Sequence, residues 1–199
     1  MYSIDKNIDN TIIIKKSKFI TKLYKINGVD EVNGIINDLK NEYKDATHIC
    51  YAYIFNGMEK CNDDGEPSGT AGLPILNVLK YNNLNYILAV VIRYFGGIKL
   101  GVGGLVRAYS NSITDTLKIC NIVELIYGLS IEISFNYDDI KFIDNILRNI
   151  EIVNKEYNDN IVYKINISKD DYENIKDILN DKCINVIINN DIYITNITK

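Results

Sequence analysis

Apolar positions along the chain recur with two rhythms, and the switches between them mark out elements. Ile131, Ile133, Phe135 and Tyr137 alternate with polar residues, the period of two expected of a strand with one buried face. Ile140, Ile143, Leu147 and Ile150 then follow at helical spacing. Ile152 to Tyr157 and the set Ile161, Tyr163, Ile165 and Ile167 predict two strands around an Asn158-Asp159-Asn160 turn. Tyr172, Ile175, Ile178 and Leu179 form a second helical stripe, with Ser168 as its N-cap and acids in its first turn. Ile184, Val186 and Ile188 close with a strand. The order β-α-β-β-α-β is that of a ferredoxin-like sandwich, four strands with one face under two helices.

The first half is less regular. Thr11 to Ile26 predicts a strand pair carrying Lys15, Lys16, Lys18, Lys22 and Lys25, a solvated hairpin edge that would extend any basic surface. Val32, Ile35, Ile36, Leu39 and Tyr43 predict an amphipathic helix, and Ile49 to Phe55 a strand. Gly57 to Gly72 reads as one polar loop, followed by a short helix with Pro74 in its first turn, where the missing N–H does no harm. Tyr86 to Phe95 is apolar on both faces, as a central strand is. A glycine loop, Gly96 to Gly104, leads into a helix whose inward stripe is Leu105, Tyr109, Ser112, Ile113, Leu117 and Cys120. The boundary is expected near Cys120 to Glu124 without a linker, giving units 1–121 and 122–199 and an α+β fold class.

Charge separates the two halves. Residues 1–121 hold 14 Lys and Arg against 12 Asp and Glu, whereas residues 122–199 hold 8 against 14. The whole chain of 199 residues has a net charge of -4, which excludes a uniformly basic nucleic-acid coat. Cys50, Cys61, Cys120 and Cys183 have no paired spacing, so reduced thiols and a cytoplasmic location are expected. The longest uninterrupted apolar run, Ile87–Ile92, is far short of the ~20 residues that cross a bilayer as helix. Residues 1–10 carry Asp5 and Asp9 and no apolar stretch, so no signal peptide and no membrane association are expected.

Two polar loops hold the residues suited to chemistry. The first runs from Asp63 to Gly72 and contains Asp63, Asp64, Glu66, Ser68 and Thr70. Three carboxylates within four residues call for a cation nearby, which fits a divalent metal, an acid/base pair, or an ion-pair network with arginine. The second runs from Arg93 to Arg107 and holds Arg93, Lys99 and Arg107 with no acid. Its Gly101, Gly103 and Gly104 precede a helix whose first amides favour an anion such as phosphate or an RNA backbone. A packing loop accounts for the same glycines. Neither the dinucleotide nor the P-loop fingerprint fits: Val106 and Val102 stand where Gly and Lys belong. Arg93, at the end of a buried strand, needs a counter-charge, so a charged seam with the Asp63-Asp64-Glu66 loop is expected, with a pocket beside it. His48 with Cys50 and Cys61 lacks a fourth metal ligand, so no metal and no cofactor are expected.

These blocks carry a resemblance. HICYAY from His48, DDGEPSGTAGLPIL from Asp63, VVIRYFGGIKLGVGGLVRAY from Val90 and SKFIT from Ser17 are similar to the YigZ/IMPACT family in order and spacing. The resemblance implies a first domain similar in fold to the second domain of the fifth small-subunit ribosomal protein. It implies a ferredoxin-like second domain, similar to the last domain of elongation factor G. It further implies a translation-associated regulatory role through RNA or ribosome binding. Eukaryotic members act through an activator of a starvation-responsive kinase and carry an added N-terminal domain. The family block here begins almost at residue 1, so that control is not expected. Two other classes stay open: a small metal-dependent hydrolase or phosphotransferase using the carboxylate loop, and a protein-interaction module in which the acidic second half recruits a basic partner.

Overall fold

A computed structural model describes residues Met1–Thr195. It divides the chain into two compact units, Met1–Glu124 and a second beginning at Leu125. The fold is mixed α/β with antiparallel sheets, in keeping with the α+β class.

The first unit is built on a five-stranded sheet in the order β2 (Ile8–Ile14), β3 (Ser17–Lys25), β6 (Ile87–Tyr94), β4 (His48–Phe55) and β5 (Met58–Asn62). β6 is central and buried along nearly its whole length, which explains why its sequence lacks alternation. Its Leu88, Val90 and Ile92 pack under α1 (Val29–Glu42) with Val32, Ile36 and Leu39. Its Ile87, Ala89 and Val91 face α2 (Gly72–Tyr81) and α3 (Val102–Lys118), meeting Ile75, Leu79, Tyr109 and Ile113. A short β1 (Tyr2–Ile4) pairs with Ile122–Glu124 at the start of β7 (Ile122–Phe135).

Three expectations change. The stretch Gly57 to Gly72 is not one loop, because Met58–Asn62 pairs with β4 as an edge strand; its exposed residues left no apolar signal. Gly103 and Gly104 lie inside the first turn of α3, not in the loop before it. Tyr137 leaves the strand rhythm of β7 for a 3-10 turn and is exposed.

In the second unit β7 is followed by α4 (Ile140–Ile146), β8 (Glu151–Tyr157), β9 (Ile161–Ser168), α5 (Lys169–Lys182) and β10 (Asn185–Thr195). The strands lie in the order β10-β7-β9-β8, all antiparallel. Leu129, Ile131, Ile133 and Phe135 of β7 and Ile161, Tyr163, Ile165 and Ile167 of β9 form one buried face against Ile143, Leu147 and Leu179. Ser168 caps α5, its Oγ accepting the Asp171 N–H at 3.0 Å. Among the described residues no helix is long and apolar enough to cross a membrane.

Candidate functional site

The register of the first sheet sets Phe19, Arg93 and His48 in one row across β3, β6 and β4. All three lie on the face that packs α2 and α3, so the charged end of β6 meets Tyr109 of α3. Glu66 reaches into the same place from the loop before α2. Its Oε1 accepts from Arg93 Nη1 at 2.5 Å and from the Tyr109 hydroxyl at 2.7 Å. His48 Nε2 stands 3.9 Å from Oε2. The Arg93 guanidinium lies 5.4 and 5.6 Å from the ring centroids of Phe19 and Phe95, and among the described residues its Nε has no hydrogen-bond partner. Both charged side chains are buried, and each supplies the counter-charge the other needs. The seam inferred from an arginine at the end of a buried strand is present, made by Glu66 rather than by all three acids.

Asp63 and Asp64 do different work. Asp63 Oδ1 accepts the amides of Ala71 and Gly72 at 3.0 and 2.8 Å, and Oδ2 that of Gly69 at 2.8 Å. It therefore caps α2, whose own N-cap residue, Ala71, has no side chain to do so. Burial raises the Asp63 carboxyl, but the three amides outweigh it and hold the group below its ordinary range. Asp64 Oδ2 accepts the Ile49 N–H at 2.6 Å, and Asp64 Oδ1 sits 3.8 Å from Lys40 Nζ. The Asp64 carbonyl accepts from His48 Nδ1 at 2.8 Å; a carbonyl can only accept, so Nδ1 carries a proton. Cys50 lies beneath, 3.4 Å from the Tyr109 hydroxyl, and burial pushes its thiol up to about 12. Thr70 is buried and bonds to the Pro67 carbonyl, while Ser68 is exposed. No cluster of three or more His, Cys, Asp or Glu suited to a metal occurs among the described residues.

The cations of the second loop separate. Arg93 is enclosed, so its charge is spent on Glu66. Lys99 and Arg107 are exposed, and neither has a hydrogen bond or ion pair among the described residues. Gly101, at φ +74°, turns the chain into α3 and places no side chain over the helix start. Among the described residues, the first-turn amides of Val102, Gly103 and Gly104 thus have no side-chain cap, and no acid lies in that turn. Beside them opens a hollow of about 390 Å³. Its walls include His48, Glu66 and Arg93 on the sheet side and Phe95, Lys99, Leu100 and Val102 on the loop side. A second hollow, about 280 Å³, lies in the second unit, and among the described residues its lining includes Glu151 and Asp171 and no cation, a poor fit to an anion.

Sequence reasoning missed several participants. Tyr109 reads as core from its spacing, yet its hydroxyl donates to Glu66; a hydroxyl within an apolar stripe is the signal. Ser17 stood in a recognised block without a role, and its buried Oγ accepts the Gly96 N–H at 3.1 Å. Phe95 read only as the end of a strand, and it forms a wall of the hollow.

Comparison with known proteins agrees with this architecture. The Impact N-terminal domain matches residues 15–117. IMPACT family member YvyE of Bacillus subtilis is 39% identical over 82% of this chain and 77% of its own length. IMPACT family member YigZ of Escherichia coli is 42% identical over 53% of this chain and 54% of its own. A solved structure described as a hypothetical protein superposes with a TM-score of 0.63 at 26% identity, covering 95% of this chain and 97% of that one. The blocks carrying the Glu66–Arg93 seam and the open start of α3 fall within the matched residues, and the chain belongs to the IMPACT family.

Proposed function

We propose that this protein is a translation-associated regulatory protein that binds RNA or the ribosome through its first unit, at the open start of α3. The observation carrying this reading is an uncapped helix N-terminus beside a largely apolar hollow. The free amides of Val102, Gly103 and Gly104, with the unpaired Lys99 ammonium, suit a phosphate. The Phe95 ring, 46% exposed at the rim, suits an unpaired base. Gly103 adds support: a Cβ there would meet nothing within 4 Å, so packing gives no reason for a glycine in this turn. A phosphate approaching the backbone does.

Family membership and the α+β architecture are in keeping with the reading. The strand order β10-β7-β9-β8 supports a ferredoxin-like second unit, similar to the last domain of elongation factor G. The five-stranded first unit is read as similar to the second domain of the fifth small-subunit ribosomal protein. A cytoplasmic location goes with both. With Arg93 enclosed, two free cations give a salt slope of about -1.4 on single strands, so isolated RNA affinity is weak and ribosome association uses further contacts.

Sedimentation with ribosomes at rising salt tests the reading. Wild-type protein pellets at low salt and is released as salt rises. The double variant Lys99→Ala, Arg107→Ala stays in the supernatant while its urea midpoint is unchanged. Pelleting of that variant to the wild-type extent would remove the proposal.

A further inference from the structure

Residues Ile14 and Ser17 pair across β2 and β3, leaving Lys15 and Lys16 as a two-residue turn. Both lysines have left-handed backbones, φ 45° and 67°. That is the turn for which Asn-Gly is preferred, because an L side chain is strained there at either position. Both side chains are exposed, and neither has a hydrogen bond or ion pair among the described residues. Lysines at a hairpin edge discourage strand pairing, but that role is open to charged residues on the strands themselves and does not call for two of them at the strained turn positions.

The turn is also not free to wander. Gly96 lies directly against it: a Cβ on Gly96 would fall 2.0 Å from the Lys16 carbonyl carbon and 2.1 Å from its oxygen. The Gly96 N–H donates to Ser17 Oγ, and Arg93 Nη2 lies 3.5 Å from the same oxygen. Gly96 follows Phe95, a wall of the hollow, and stands three residues before Lys99. The strained, unpaired lysine pair is therefore seated on the loop that forms the candidate binding face.

We infer that Lys15 and Lys16 form a second cationic contact for the same ligand, holding backbone phosphates of a single-stranded RNA beside the nucleotide at the hollow. This rests on the RNA-binding reading above. Four free cations in place of two steepen the expected salt slope on single strands from about -1.4 to about -2.8.

The test is the salt dependence of single-stranded oligoribonucleotide binding by the full chain, with urea midpoints measured alongside. Lys15→Asn with Lys16→Gly installs the preferred turn pair. Its midpoint is expected to equal or exceed that of the wild type while the slope becomes shallower by about 1.4. Lys15→Gln with Lys16→Gln keeps side-chain length and is expected to give the same shift. Lys44→Ala with Lys60→Ala, which removes equal charge elsewhere, is expected to leave the slope unchanged. A wild-type slope in both turn variants, or an equal shift in the Lys44/Lys60 control, overturns this inference and leaves the RNA reading standing. Failure of the wild-type protein to bind any oligoribonucleotide overturns both.

Discussion

Arg93 Nη1 and Glu66 Oε1 meet 2.5 Å apart in a place where the two side chains are only 6% and 3% exposed. The contact ties the end of the central strand to the loop before α2, and Tyr109 ties the same carboxylate to α3. One carboxylate thus joins the sheet, the loop before α2 and α3. It also removes Arg93 from the list of charges available to a ligand.

Removing one partner leaves the other as an unpaired buried charge. Glu66→Ala is expected to lower stability by about 3–5 kcal/mol in urea unfolding. The double variant Glu66→Leu, Arg93→Met removes both charges and is expected to recover most of that loss. A double variant less stable than Glu66→Ala alone would contradict a structural role for the pair.

Asp63 gives the fold a pH dependence with a definite sign. Its folded carboxyl lies below the ordinary value of 3.8, so its contribution is present above that value and is lost as pH falls through the lower folded value. Asp63→Ala is expected to be less stable than wild type by about 2 kcal/mol near neutrality. The gap narrows as the pH drops below about 4. A gap independent of pH, followed by urea midpoints, would refute the assignment.

Two glycines separate packing from access. Gly96→Ala has no room, since its Cβ would overlap the Lys16 backbone, and it is expected to destabilise the first unit strongly. Gly103→Ala has open space and sits in a helix, so a gain of about 0.5–1 kcal/mol is expected together with weaker RNA binding. Stability follows from thermal melts and binding from filter retention. A Gly103→Ala protein that binds as well as wild type would deny close approach at this turn.

Cys50 is buried, with its thiol pushed up to about 12. Near pH 8 it is expected to resist alkylation in the folded protein and to react only on unfolding. Peptide mapping after timed alkylation reads this directly. Rapid labelling of Cys50 without unfolding would show an accessible pocket beneath Tyr109.

The second unit was largely legible because its inward strands alternate strictly and its first turn of α5 carries a plain serine cap. In the first unit β6 was legible as a central strand, and Arg93 at its end demanded a counter-charge, which led to Glu66. β5 left no trace, because an edge strand such as Met58–Asn62 buries too little to need alternation. The start of α3 at Val102 was hidden by the glycines inside its first turn. The meeting of Gly96 with Lys16 arises from tertiary approach across 80 residues, and no local pattern encodes it.

The central claim is that a phosphate lands on the uncapped start of α3. Its most direct test is a titration of single-stranded oligoribonucleotide followed by amide resonances of the folded protein. Saturable shifts centred on Val102, Gly103 and Gly104 are expected, and they are abolished in Lys99→Ala, Arg107→Ala. Saturable shifts that leave those three amides unmoved would contradict it.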